Sequence, residues 1–227
     1  MRTAHIASKT LASKRKSTSK TKQREATLKN RHMSRYKILD QHGLNFVTLS
    51  IVDWVDVFIR KSYKDILLDS LRYCQKEKGL MVYAYVIMSS HIHLIVEASN
   101  ENIPLSDILR DFKKFTAKTI LHEIEHGGYE SRREWMLHRF AFRGRNAPGN
   151  RQYQFWQSDN HPIDLYTLPV IAQKIRYIHE NPVKEGWVLE AEHYPYSSAT
   201  NYTTGLGLLE VAVVDMPMSW VGYVPGS

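Results

Sequence analysis

The sequence has a single cysteine, Cys74, among its 227 residues. A lone thiol excludes an internal disulfide and any zinc cluster built on several thiolates. No run approaches the ~20 apolar residues that span a bilayer, and the amino-terminal stretch lacks the apolar segment of a secretory signal. No GxxxxGK[ST] loop occurs, which removes the usual cradle for a nucleoside triphosphate. Acidic residues are nearly missing from one end. Residues 1 to 37 hold twelve Lys or Arg against the single acid Glu25, a charge of +11; the remaining 190 residues hold nineteen basic and twenty-two acidic side chains, a charge of −3. The net charge of +8 therefore comes entirely from the tail.

The 43% hydrophobic content suffices for one sizeable core, so a single catalytic domain in a reducing, cytoplasmic setting is expected, with no membrane association. Residues 1–33 are rich in Lys, Ser and Thr and cannot offset their ordering entropy, which predicts a disordered basic tail. Three origins fit such a tail: a polyanion-binding arm, a targeting peptide, or translation from upstream of a true start at Met33. The domain is expected over residues 34–205, and residues 206–227 form an extension that could be a closing strand, a dimer contact or a core cover.

The pattern within the domain predicts a strand over 44–52 (LNFVTLSIV) and a helix over 61–78 with Ile66, Leu67, Leu71 and Cys74 on one side, ended by Gly79. Strands at 81–88 and 91–97, separated only by Ser89 and Ser90, form an antiparallel hairpin. A second helix runs from Pro104 to about His126, with Lys113 and Lys114 among its polar positions. Residues 151–157 (RQYQFWQ) suggest a short strand. A third helix starts at Thr167 as N-cap, with Pro169 in its first turn, and closes near Asn181 before Pro182. The order β, α, β, β, α, β plus one helix predicts an α+β, ferredoxin-like antiparallel sheet with helices on one face and an extra carboxy-terminal helix. Within residues 131 to 151, six arginines (Arg132, Arg133, Arg139, Arg143, Arg145, Arg151) accompany only Glu134. The stretch RGRNAPGNRQ within them suggests a loop, either solvated or in contact with phosphates.

Two stretches carry chemistry. In SSHIHLIV, residues 89–96, alternation puts His91 and His93 on one face and Ile92, Leu94 and Val96 on the other. With the apolar face toward the helices, the histidines are expected on the open face of the sheet or at its edge. The pair could be buried and hydrogen-bonded, or supply two ligands to a metal that needs a third group from elsewhere. In KIRYIHENPVKEGWV, residues 174–188, Ile171, Ile175 and Ile178 make a buried stripe, while Tyr177 and Asn181 sit one turn apart on a different face. His179 points away from Tyr177.

Taken together, the YAYVIM-type strand before a histidine pair, the FWQ strand and the YIHENPVKEGWV helix end resemble the single-tyrosine HUH transposases, within them the REP-associated tyrosine transposase branch. The resemblance runs from about Ser34 to Tyr202 and includes YPYSSATNY. It departs at Ser89-Ser90, where members commonly carry Pro-Asn. The resemblance implies cleavage and transfer of single-stranded or hairpin DNA through a 5′-phosphotyrosine. It also implies Tyr177 as nucleophile and His91, His93 and Asn181 as ligands for Mg2+ or Mn2+. The six arginines, with Lys113 and Lys114, become candidate DNA contacts. A homodimer and a nucleoid-associated location fit the same reading.

Two other readings compete. HEIEH, residues 122–126, satisfies the H-E-x-x-H pattern of zinc proteases, but Gly127-Gly128 follows at once and no HxxGxxH continuation exists. A non-catalytic, domesticated nucleic-acid-binding protein is the other, since a sheet of this kind can stack bases. For the tail, deletion of residues 1–32 is expected to leave cleavage intact while lowering non-specific DNA affinity and flattening its salt dependence, measured as log K against log salt.

Overall fold

The computed structural model describes residues 37–215. The predicted tail, including Met33, and residues 216–227 of the predicted extension lie outside them. From Ile38 the described chain forms one compact unit. Its strands are β1 (Asn45–Ser50), β2 (Leu80–Ile87), β3 (His91–Ala98) and β4 (Ile163–Asp164), in the spatial order β2-β3-β1-β4 with every pairing antiparallel. The helices are α1 (Lys61–Lys78), α2 (Leu105–His126), α3 (Arg133–Arg145), α4 (Leu168–Lys184) and the short α5 (Ala199–Thr204). The strand order and the β-α-β-β-α-β sequence make the ferredoxin-like arrangement expected.

Local chemistry explains the boundaries. Gly79 takes the left-handed conformation, φ 71°, and its N–H caps the Cys74 carbonyl, so α1 ends where a residue without Cβ is available. β2 and β3 turn at Ser89-Ser90, with the Met88 N–H donating to the His91 carbonyl at 2.8 Å. Leu67, Leu71 and Cys74 of α1 are buried, as are Ile108, Leu109, Phe112 and Ile120 of α2. The two helices pack on each other, α1 also against β2 and α2 against β3.

Four expectations are corrected. The RQYQFWQ stretch is not a strand: only an isolated bridge joins Trp156 to Ile51, and the fourth strand is Ile163–Asp164. Residues 155–160 still follow the β1 edge, because the Val52 and Gln157 N–H groups exchange bonds with Phe155 and Ser50 and the Thr48 N–H donates to the Asn160 carbonyl. Positive φ at Asn150 and His161 brackets this segment. The arginine-rich stretch is helical through Arg145, so the loop expected over 143–152 starts three residues later, at 146. Gly144 is buried there, and a Cβ on it would lie 2.5 Å from the Arg151 carbonyl oxygen; the glycine permits close approach rather than marking a turn. The last helix continues past Asn181, with Pro182 inside it, and ends at Lys184. Finally, the histidine pair is not on an open face. β3 is central, α4 packs on β2 and β3, and His93 is only 5% exposed.

Residues 206–215 act as a core cover. Leu209 is buried, the Ala212 N–H donates to the Val82 carbonyl on the outer edge of β2, and Arg72 and Gln75 hold the Leu208 and Glu210 carbonyls. Together with Ser197, which bridges to Val86, this segment occupies hydrogen-bonding groups that an edge strand would otherwise present to another chain.

A buried carboxylate ties the loop before α3 to the start of α1. The Glu130 side chain is 1% exposed and accepts from Arg60 Nε at 2.8 Å, from Arg132 Nε at 3.2 Å and from the Arg132 N–H at 3.1 Å. Burial alone would push its pKa up; the hydrogen bonds from both arginines outweigh that and hold it below the ordinary value. Its contribution is present above the ordinary value of 4.5 and is lost as pH falls through the lower folded value. Because the arginines keep part of their surface in water, Glu130→Ala is expected to cost about 2 kcal/mol, below the range for a fully buried pair. Urea melts at neutral pH would show this, and the gap between the two proteins should narrow at acid pH.

Candidate active site

The register Thr48↔His93 and Ser50↔His91 sets hydroxyl-bearing residues of β1 opposite the two histidines. Thr48 Oγ1 lies 2.8 Å from His93 Nδ1, and Ser90 Oγ lies 3.3 Å from His91 Nδ1. The tautomer that donates Nδ1–H to each hydroxyl leaves both Nε2 atoms as bare lone pairs. Burial lowers the pKa of His91 to about 4. Burial, helped by the charges of His91 and Lys174, lowers that of His93 to about 3. Both imidazoles are therefore neutral at physiological pH, the state a cation requires. Their rings meet edge to face with centroids 4.7 Å apart.

The apolar stripe of α4 fixes what faces them. Ile171, Ile175 and Ile178 are buried as expected, which leaves Tyr177 off the stripe, 39% exposed. Its hydroxyl lies 3.5 Å from His93 Nε2, at the outer limit of a hydrogen bond, and its ring meets those of His93 and Phe46 edge-on. Asn181 Nδ2 donates to the Tyr177 carbonyl at 2.6 Å, one turn back, leaving Oδ1 as the acceptor end of the amide. His179 is buried on the other side, Nε2 2.9 Å from Ser198 Oγ, outside this group.

Sequence reasoning missed two cations. Lys174 Nζ lies 4.8 Å over the Phe46 ring and 5.6 Å from the Tyr177 ring, and Lys184 Nζ is 5.9 Å from the Tyr177 ring. Their helical spacing from Tyr177, three back and seven on, is a signal that could have found them.

The eight cationic positions separate. Arg132 pairs with Glu130 and Asp56, while Arg139 and Arg143 both reach Asp53, so three of the six arginines have intramolecular partners. Lys113 Nζ donates to the Gln157 carbonyl and to Asn160 Oδ1, and burial lowers its pKa to about 8. Lys113, Lys114 and Arg151 line one cavity of about 460 Å3 with Tyr153 and Gln154. Arg133, Arg145, Arg151 and Lys114 are exposed.

His122 and His126 stack at 4.5 Å on the α2 surface, but among the described residues no group of three His, Cys, Asp or Glu side chains gathers there or elsewhere. The HEIEH pattern thus has no third ligand of those types, and a cation at His91 and His93 would draw its further ligand from an amide such as Asn181 or from substrate. Among the described residues, no helix is long and apolar enough to cross a membrane.

Residues 53–142 match the family described as "Transposase IS200 like", a span holding both histidines and ending before α4. The fold is similar to that of a REP-associated tyrosine transposase bound to a REP hairpin, with a TM-score of 0.55 and 18% identity over 81% of this chain and 95% of that one. A second solved chain, from Deinococcus radiodurans and named as a candidate transposase, aligns with a TM-score of 0.34 and 16% identity over 64% of this chain and 95% of that one. No curated protein sequence matches the chain.

Proposed function

Since the chain carries an IS200-like transposase segment over residues 53–142, we propose that it cleaves and transfers single-stranded DNA, hairpin DNA included, through a covalent link to Tyr177. The observation that carries this reading is the Tyr177 hydroxyl placed 3.5 Å from His93 Nε2 by a helix the family match does not reach. In the reaction, the phenolic oxygen forms a bond to phosphorus and the bond from phosphorus to O3′ breaks. The phenol proton passes, in net, to O3′, giving a 5′-phosphotyrosine and a free 3′-hydroxyl. Because one phosphodiester is exchanged for another, the reverse attack by a 3′-hydroxyl rejoins the strand without a nucleotide.

The residues suit a divalent cation. His91 and His93 would hold it through Nε2 and Asn181 would add Oδ1, and Mg2+ or Mn2+ suits such a mixed nitrogen and oxygen set completed by phosphate. When bound, such an ion supplies Lewis-acid polarisation of the scissile phosphate. The chain's own groups do the positioning. Thr48 and Ser90 orient the imidazoles, the α4 stripe seats Tyr177 beside His93, and Lys174 brings positive charge suited to phosphate to the ring, whereas Lys184 is paired with Glu180 at 2.8 Å. Arg133, Arg145, Arg151 and Lys114 remain available for the strand outside the site.

The test is a denaturant-resistant adduct. Incubation with hairpin-bearing single strands taken from the DNA around the gene, with Mg2+ or Mn2+, should give protein-linked DNA whose modified peptide contains Tyr177. Tight hairpin binding with no adduct in the wild type would overturn the reading in favour of a binding protein.

A further inference from the structure

Asp53 and Trp54 both have φ 54°, two consecutive left-handed residues without a glycine. For a bulky side chain this conformation is costly and persists only where the surroundings enforce it. The enforcement is visible. The Asp53 carboxylate, 17% exposed, is held by Arg143 at 2.6 Å and Arg139 at 3.5 Å from one face of α3, and the preceding residue is pinned by the Val52 N–H, which donates to the Phe155 carbonyl at 2.9 Å. The strain does not serve packing, because the Trp54 indole is left 58% exposed. It stands edge to face with His91 at 5.6 Å, so Trp54, His91, His93 and Tyr177 form one row of rings with the indole at the end away from the tyrosine.

We propose that Trp54 is a stacking platform for a base of single-stranded DNA that flanks the phosphate at Tyr177. This rests on the strand-cleavage reading of the site. A strand laid along the row puts its phosphate at Tyr177 and Lys174 beside it, and an adjacent base on the indole. Every base has a π-face, so the platform accepts an unpaired base of any sequence, and a paired base is not free to lie on it. In this arrangement Arg139 and Arg143 act through Asp53 to fix the platform, which accounts for two arginines that otherwise look like phosphate contacts.

The test compares binding of oligo-dT with that of a strand of equal length made of abasic sites, which keeps the phosphates and removes the bases. The full-length protein should prefer oligo-dT by about tenfold or more, the scale of one stacked base. Trp54→Ala should lose most of that preference with little change in affinity for the abasic strand, and Trp54→Phe, which keeps a ring, should retain most of it. The same preference in Trp54→Ala as in the wild type, or its loss in a folded Trp54→Phe, would overturn the proposal. The assay does not need cleavage. A missing Tyr177 adduct would remove the phosphodiester chemistry and leave the platform standing; an unchanged base preference in a Trp54→Ala protein that still forms the adduct would remove only the platform.

Discussion

Tyr177→Phe is expected to abolish strand cleavage and the covalent protein–DNA adduct while leaving fold and DNA affinity near those of the wild type. The change removes one hydroxyl, whose neighbour in the structure is His93 Nε2 at 3.5 Å. The ring keeps its contacts with Phe46 and His93 and its place beneath Lys174 and Lys184. The contact given up is at the outer limit of a hydrogen bond, so its loss costs the fold little. Removing a nucleophile acts on the reaction alone, and the rate should fall by on the order of 10^4 or more, down to the level of whatever background remains. Gel separation under denaturing conditions reads cleavage and adduct together, and peptide mapping places the adduct. An adduct that persists in Tyr177→Phe and maps to Tyr153 or to Tyr166, which is 75% exposed just before α4, would show that the nucleophile was misassigned.

His93→Ala should produce the second largest loss, with cleavage falling by on the order of 10^3, the scale of several kcal/mol of Lewis-acid stabilisation. Chelation of divalent cations should produce the same loss in the wild type and add nothing in the variant. The replacement empties a space beside Phe46, which stacks on the imidazole at 5.4 Å, so folding must be checked by circular dichroism. Thr48→Val separates orientation from ligation. It keeps the volume and removes the hydroxyl 2.8 Å from Nδ1, so the Mn2+ concentration for half-maximal activity should rise about 10- to 100-fold while saturating metal restores most of the rate. Cleavage by His93→Ala that is undiminished, or that survives chelator, would return the histidines to a structural role.

The local pattern determined much of this protein. Period-two alternation put His91 and His93 on one side of a strand, and period-3.6 spacing put Tyr177 and Asn181 off the Ile171, Ile175 and Ile178 stripe, because side-chain direction follows from backbone geometry alone. Gly79 as a stop, Pro104 before a helix and the Ser89-Ser90 turn were legible for the same reason. Where the sequence misled, long-range contact decided. RQYQFWQ has strand composition, yet its first half bonds back to α3 and only its end follows the β1 edge, with one bridge. RGRNAPGNRQ has loop composition and is loop from residue 146, but its first three residues belong to α3, where Gly144 lies close against the chain at Arg151 and Tyr153. Charge carried no label for partners either: Arg132, Arg139 and Arg143 read as phosphate contacts until the fold brought Glu130, Asp56 and Asp53 to them. The exposed histidine face became a covered one because α4, distant in sequence, lies across β2 and β3. Only that packing sets Tyr177 against His93, and only the pairing of β1 with β3 sets Trp54 beside His91, since no spacing along a chain encodes the meeting of residues as far apart as the 84 positions between His93 and Tyr177. The sequence by itself determined which side chains share a face; the tertiary structure decided which faces meet, because meeting depends on burying several elements against one another at once.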